Sequence, residues 1–137
     1  MREPGGVETF DTNVLVRLLV RDDDEQCRRA EAAWRAAIAA SGVLLPTIVL
    51  VELAWVLRSA YRFDRPTIAA ALGRLVDSAG VTLEDDRAAR LALAAFAAGR
   101  ADLSDYVILE VARSRNALPL HTFDERLAEA EGATTVR

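Results

Sequence analysis

Lysine is absent from this chain: all 17 basic residues are arginine, which excludes any chemistry that needs a lysine side chain. A single cysteine, Cys27, rules out an internal disulfide. That fits a reducing compartment, and a lone thiol of this kind is expected to be a buried filler. A single histidine, His121, leaves no Cys/His set for zinc, and its expected role is structural. No apolar run approaches the ~18 residues of a membrane span. The longest such stretch, residues 42–57, is interrupted by Pro46 and Glu52. The opening Met1-Arg2-Glu3-Pro4-Gly5-Gly6 lacks the apolar core of a signal peptide, so a cytoplasmic location and no membrane partner are expected. Positive charge is in short supply as well. The net charge is -4 and the pI about 5.0, the wrong sign for a surface that attracts polyanions everywhere. Any nucleic-acid contact must use a local patch or a metal ion.

What is present is apolar bulk: 52% of the 137 residues are hydrophobic, enough for a core without covalent staples. The length suits one domain spanning residues 1–137. Short β-like runs alternate with longer helical ones. Strands are expected at 7–10, 43–45, 81–83, 118–120 and 133–136. Helices are expected at 12–20, from Asp22 to about 40, at 47–60, from Asp64 to about 78, at 85–98, from Asp102 or Ser104 to about 114, and from Asp124 to about 131. Gly99 reads as the residue just past a helix end. Strands separated by helices imply parallel pairing. The predicted class is α/β, a three-layer α/β/α sandwich around a short, mainly parallel central sheet.

Most acids fall in runs that suit helix caps or solvated faces: Asp22 to Asp24, Glu84 to Asp86, Glu125, Glu129 and Glu131. Four others stand apart. Asp11 and Asp124 each follow a strand run where a helix begins, the end of an open α/β sheet at which ligands bind. Glu52 has Ile48, Val49, Trp55 and Val56 as its helical neighbours, and Asp105 precedes the apolar stripe of Ile108, Leu109 and Ala112. An acid ringed by apolar groups is costly to bury unpaired, so a merely solvated role is unexpected for these two. Helix capping is the competing explanation for Asp11 and Asp124; for Asp105 it is a cap at Asp102 or Ser104, with Asp105 complementing the dipole of the first turn; for Glu52 it is an ion pair, for instance with Arg58, or a place at the edge of the apolar stripe. If the four converge, their mutual repulsion calls for a hard divalent cation with oxygen ligands, Mg²⁺ or Mn²⁺.

Asp11-Thr12-Asn13-Val14-Leu15-Val16-Arg17 resembles the opening motif of PIN-domain proteins, and its continuation to Asp23 is similar to the VapC-type toxins of bacterial toxin–antitoxin pairs. Residues 47–53 around Glu52 resemble the second acidic helix of that family, residues 101–108 its third acidic segment, and Thr122-Phe123-Asp124 its last motif. The resemblance implies a Mg²⁺- or Mn²⁺-dependent endoribonuclease, a homodimer, and an antitoxin protein as partner. By position it implies Asp11, Glu52, Asp105 and Asp124 as the acidic quartet; metal-assisted phosphodiester hydrolysis, with Asp11 and Asp105 binding the ion directly or through water, is the mechanism expected of it. Thr12, Asn13 and Thr122 match polar positions beside it, and Asp102 a frequent further acid.

Arg17, Arg21, Arg100 and Arg126 lie near these motifs in sequence and are candidate RNA contacts. A receiver-type phosphoacceptor domain would need a lysine, and a haloacid-dehalogenase-like phosphatase an Asp-x-Asp pair where Asp11 is followed by Thr12-Asn13. The remaining alternative is a PIN fold that has lost catalysis and serves as an interaction module.

Overall fold

Three parallel strands organise the first half of the chain. They are β1 (Glu8–Thr9), β2 (Val43–Leu45) and β3 (Val81–Leu83), in the order β1-β2-β3 with β2 central. Glu8 lies opposite Val43, and Val43 opposite Val81. Val43 and Leu45 are fully buried, as expected for the middle of a parallel sheet. Parallel neighbours cannot be joined by a tight hairpin, so helices fill the connections. α1 (Thr12–Leu19) and α2 (Asp24–Ala40) lead from β1 to β2, and α3 (Thr47–Ser59) and α4 (Arg65–Val76) from β2 to β3. The computed structural model describes residues 6–137; the sequence expectation for residues 1–5 lies outside the described residues.

The sheet starts where two glycines meet. Gly42 adopts φ +96° and Gly80 φ +82°, and a Cβ on Gly42 would stand 2.8 Å from the Gly80 carbonyl oxygen. That closeness lets the Val43 amide donate to Gly80 and the Glu8 amide to Gly42, which sets the register of all three strands. Acids from the runs read as caps do cap. Asp23 accepts from the Gln26 amide and Asp85 from Ala88, while Glu84 reaches from the end of β3 to the Thr47 amide at the start of α3; Asp64, outside those runs, caps α4 by accepting from Thr67. Leu15, Leu53, Leu57, Ile68 and Leu72 fill the core, and Phe10 meets Trp34 edge-on at 5.5 Å.

The chain forms two compact units, one extending to Glu84 and the other Asp85–Arg137. In the second, α5 (Asp86–Ala98) packs on α6 (Leu103–Ser114). Then β4 (Leu120–Thr122), α7 (Glu125–Ala128) and β5 (Ala133–Thr135) form a two-stranded parallel ladder with a helical connection. β4 begins two residues later than the sequence suggests. Pro119 has no amide hydrogen to give, and the ladder opens with the Leu120 amide on Gly132. Arg113 ties α6 to the turn before β5, pairing with the buried Glu110 and donating to the Glu131 carbonyl. The class is the α/β one read from the sequence, with parallel strands and flanking helices, and its strands are divided between a three-stranded and a two-stranded sheet. Among the described residues, no helix is long and apolar enough to cross a membrane.

Candidate active site

In the first unit the carboxylates of interest flank the start of α1. Asp11 is its N-cap, exposed, and accepts from the Thr12 amide at 2.8 Å. Thr12 is buried, and its hydroxyl donates to Glu52 Oε1 at 2.8 Å. One threonine therefore links the Asp11 backbone turn to an acid 40 residues further on. Asn13 follows with its side chain exposed.

Glu52 corrects the sequence reading. Its neighbours are apolar, but they are not a buried ring: Ile48 is 63% exposed and Trp55 68% exposed, on the same outward face as Glu52. α3 is apolar almost all round, and the arc it buries is Val49, Leu50, Leu53, Ala54 and Leu57. Desolvation therefore does not single out Glu52. Its distinguishing feature is the bond from Thr12.

In the second unit, three carboxylates act on one another. Asp102 and Asp105 form a reciprocal capping box at the start of α6, in which Asp105 Oδ2 accepts from the Asp102 amide at 3.1 Å. Asp105 is half-buried, and its pKa is raised. Desolvation is the main cause, and repulsion from Asp102 and Asp124 adds to it, against the lowering effect of the Asp102 amide and of Arg126. For this residue the apolar stripe did signal partial burial. Asp124 caps α7, accepting from the Arg126 and Leu127 amides, and its own amide donates to Thr122 Oγ1 at 2.9 Å. The Arg126 side chain and amide hold the Asp124 pKa below the ordinary carboxylate range. Arg126 in turn is held protonated by Asp124, with smaller contributions from Asp102 and Asp105. It is the built-in counter-charge of this acidic group.

Thus each sequence-selected aspartate also serves a helix start. The capping explanation and the site explanation are not exclusive, because a cap points a carboxylate outward from the end of a strand or loop. Among the described residues, no three His, Cys, Asp or Glu side chains are gathered so as to hold an ion. Each carboxylate is bonded to a nearby amide, hydroxyl or guanidinium. The donor set nonetheless fits a hard divalent cation. It is all oxygen, and the crowding of Asp105 by Asp102 and Asp124 is what a cation would relieve.

Of the arginines selected by proximity, Arg21 pairs with Glu31, Arg100 with Glu129 and Arg126 with Asp124. Arg17 is bonded to Asp22, Gln26 and Tyr61. His121 is exposed, and Cys27 is buried with its thiol on the Val20 carbonyl. The sequence reading missed two positioning groups. The Tyr106 hydroxyl accepts from the Arg100 and Ala101 amides and so fixes the loop into the capping box. The Glu110–Arg113 pair anchors the other end of α6. The only signal for either was a polar group within an apolar helix face.

The Thr12 link is testable. Thr12→Val keeps the shape and removes the donor. We expect a loss of about 1 kcal/mol in unfolding free energy by urea titration, the usual worth of such a bond. Unchanged stability would show that the bond to Glu52 does not hold the two elements together.

No curated protein matches this sequence. The PIN domain profile matches residues 9–133, a span that contains Asp11, Glu52, Asp102, Asp105 and Asp124. With that match over most of its length, and with parallel strands, flanking helices and acids at the helix starts, the chain belongs to the PIN-domain family, whose members are typically metal-dependent nucleases.

Proposed function

We propose that this protein is a Mg²⁺- or Mn²⁺-dependent endoribonuclease, the toxin of a toxin–antitoxin pair, working as a homodimer and held in check by an antitoxin protein. The observation that supports the nuclease reading best is the group of Asp102, Asp105 and Asp124, in which repulsion from its neighbours helps raise the pKa of Asp105. The toxin role, the RNA substrate and the partners rest on the resemblance of residues 11–23 to VapC-type sequences.

Asp11 and Asp105 are proposed as metal-binding carboxylates from the resemblance alone. A bound divalent cation supplies charge neutralisation at the phosphate and a more acidic water. Glu52, steadied by Thr12, orients the attacking water and accepts its proton. Asp124 completes the acidic set once Arg126 is drawn off it, for which phosphate is a suitable acceptor. Attack by water in line with the leaving oxygen would leave a 5′-phosphate and a 3′-hydroxyl. Asp102 serves by holding Asp105 in its capping geometry.

Cleavage of total RNA should require added Mg²⁺ or Mn²⁺ and stop in excess EDTA. Calorimetric titration of the purified protein should show metal binding that Asp11→Asn weakens without unfolding the chain. RNA cleavage that persists in EDTA would refute the metal requirement. Wild-type protein that neither binds metal nor cleaves RNA would leave the family fold as an interaction module.

A further inference from the structure

A cleft of about 710 Å³ opens in the first unit, lined by Asn13 and Val14, by Arg17, and by Gln26, Arg29 and Ala33 of α2 over the buried Ala30. We propose that it binds the sugar–phosphate backbone of the RNA substrate where the strand runs up to Asp11 and Glu52, with Arg17 and Arg29 taking phosphate oxygens. This rests on the ribonuclease reading.

Charge is the first argument. The chain carries a net charge of -4, so attraction to RNA has to be local. This cleft supplies it through its two guanidinium groups: Arg29, and Arg17, whose charge is shared with Asp22 just outside the lining. Guanidinium is the side chain best matched to phosphate, to which it donates in parallel pairs.

Preorganisation is the second. The Arg17 Nε donates to Gln26 Oε1 at 2.6 Å, and its Nη1 to Asp22 at 2.7 Å and to the Tyr61 hydroxyl at 3.3 Å. Tyr61 in turn donates to Asp22 at 3.0 Å. The guanidinium is thus fixed before any ligand arrives, which removes the entropy cost of ordering it. Arg29 is exposed and supplies a second cation on the α2 wall.

The third argument is continuity. Asn13 belongs to the cleft and directly follows Thr12, the residue bonded to Glu52. A strand lying in the cleft therefore leads to the acidic residues of this unit. The carboxamides of Asn13 and Gln26 suit the 2′-hydroxyl, which both donates and accepts. Val14, Ala30 and Ala33 give an apolar wall for a base or ribose face. An acidic protein segment would use the cations but would have no call on that sequence of amide and apolar surface.

The test is fluorescence anisotropy with a labelled oligouridylate in EDTA, where no cleavage intervenes, comparing wild type with Arg29→Ala. We expect a five- to ten-fold loss of affinity at low salt. The slope of log K against log salt should become shallower by about 0.7, the single-strand value for one phosphate contact. Arg29→Lys should restore most of the slope, and Arg87→Ala, on α5, should leave it alone. In Mg²⁺, Arg29→Ala should raise KM more than it lowers kcat. Wild type that cleaves RNA while Arg29→Ala binds with unchanged affinity and slope would overturn the cleft and leave the ribonuclease reading standing. An Arg29 effect on binding without any cleavage would support the cleft and remove the ribonuclease reading. Neither binding nor cleavage by wild type would overturn both. Displacement of the probe by polyglutamate at lower concentration than by unlabelled oligouridylate would assign the cleft to an acidic protein segment instead.

Discussion

On the proposed ribonuclease reading, Asp105→Asn should cut RNA cleavage by roughly 10²–10³-fold, the usual cost of removing one electrostatic group from an active site, while making the metal-free protein more stable. The two effects have one origin. Asp105 ionises reluctantly because it is partly desolvated and faces Asp102 and Asp124. A carboxyl whose folded-state pKa is raised supports the fold most fully when protonated, below its unfolded pKa. That support is lost as pH rises through the folded pKa, so near neutrality the ionised Asp105 weakens the fold. Asparagine removes the charge but keeps an oxygen that can accept from the Asp102 amide, so the capping box survives. The melting temperature in EDTA should therefore rise at pH 7, and the gain should shrink toward acid pH, where the wild-type residue is protonated. Mg²⁺ should stabilise wild type more than the variant. A variant that is inactive and also less stable at every pH would mean that Asp105 matters as a cap and not as a strained charge. One that retains wild-type activity would remove it from the site.

Tyr106→Phe should destabilise the protein by about 1–3 kcal/mol through two backbone donors left without their acceptor. The Arg100 and Ala101 amides both point at this hydroxyl, and Ala101 is fully buried. The same oxygen explains Gly99. Glycine there is not needed for a left-handed helix end, because its φ is -104°. It is needed because a Cβ would collide with the Tyr106 hydroxyl. Gly99→Ala should thus be at least as damaging as Tyr106→Phe. In the background of Tyr106→Phe, which lacks the hydroxyl, part of that penalty should disappear. A double-mutant cycle by urea unfolding reads this directly. Strict additivity of the two changes would refute the contact. Since residues 99–101 lead into Asp102 and Asp105, both variants should also reduce activity beyond what lost stability explains.

The exposed face of α3 shows how far sequence patterning reaches. Thr47–Ser59 is plainly a helix from its composition, and its boundaries agree closely with those expected. Its buried arc was not legible, because a helix apolar on nearly every side carries no amphipathic signal to choose one. Glu52 was selected for being surrounded by apolar residues, and it turns out to share an exposed face with Ile48 and Trp55. Asp105 was selected by the same reasoning and is half-buried, because the α6 stripe is one-sided and packs with Leu103, Tyr106 and Leu109 inward. The capping alternatives are realised: Asp11 and Asp124 are N-caps, and Asp102 caps α6 with Asp105 in its first turn as the partner in the capping box.

By itself the sequence determined the alternation of short parallel strands with helices, the lack of lysine and of a Cys/His set, and the ordered acidic motifs that place the chain in the PIN-domain family. These follow from local periodicity, from residue inventory and from motif order, none of which needs distant partners. Tertiary structure alone decided which carboxylates feel one another, which hydroxyl holds Glu52, why Gly99 must be glycine, and where two arginines line a cleft in an acidic protein. Those outcomes depend on distances between residues far apart in the chain, such as the 2.8 Å from Thr12 to Glu52. A local pattern can propose which side chains are candidates, but packing fixes which of them meet.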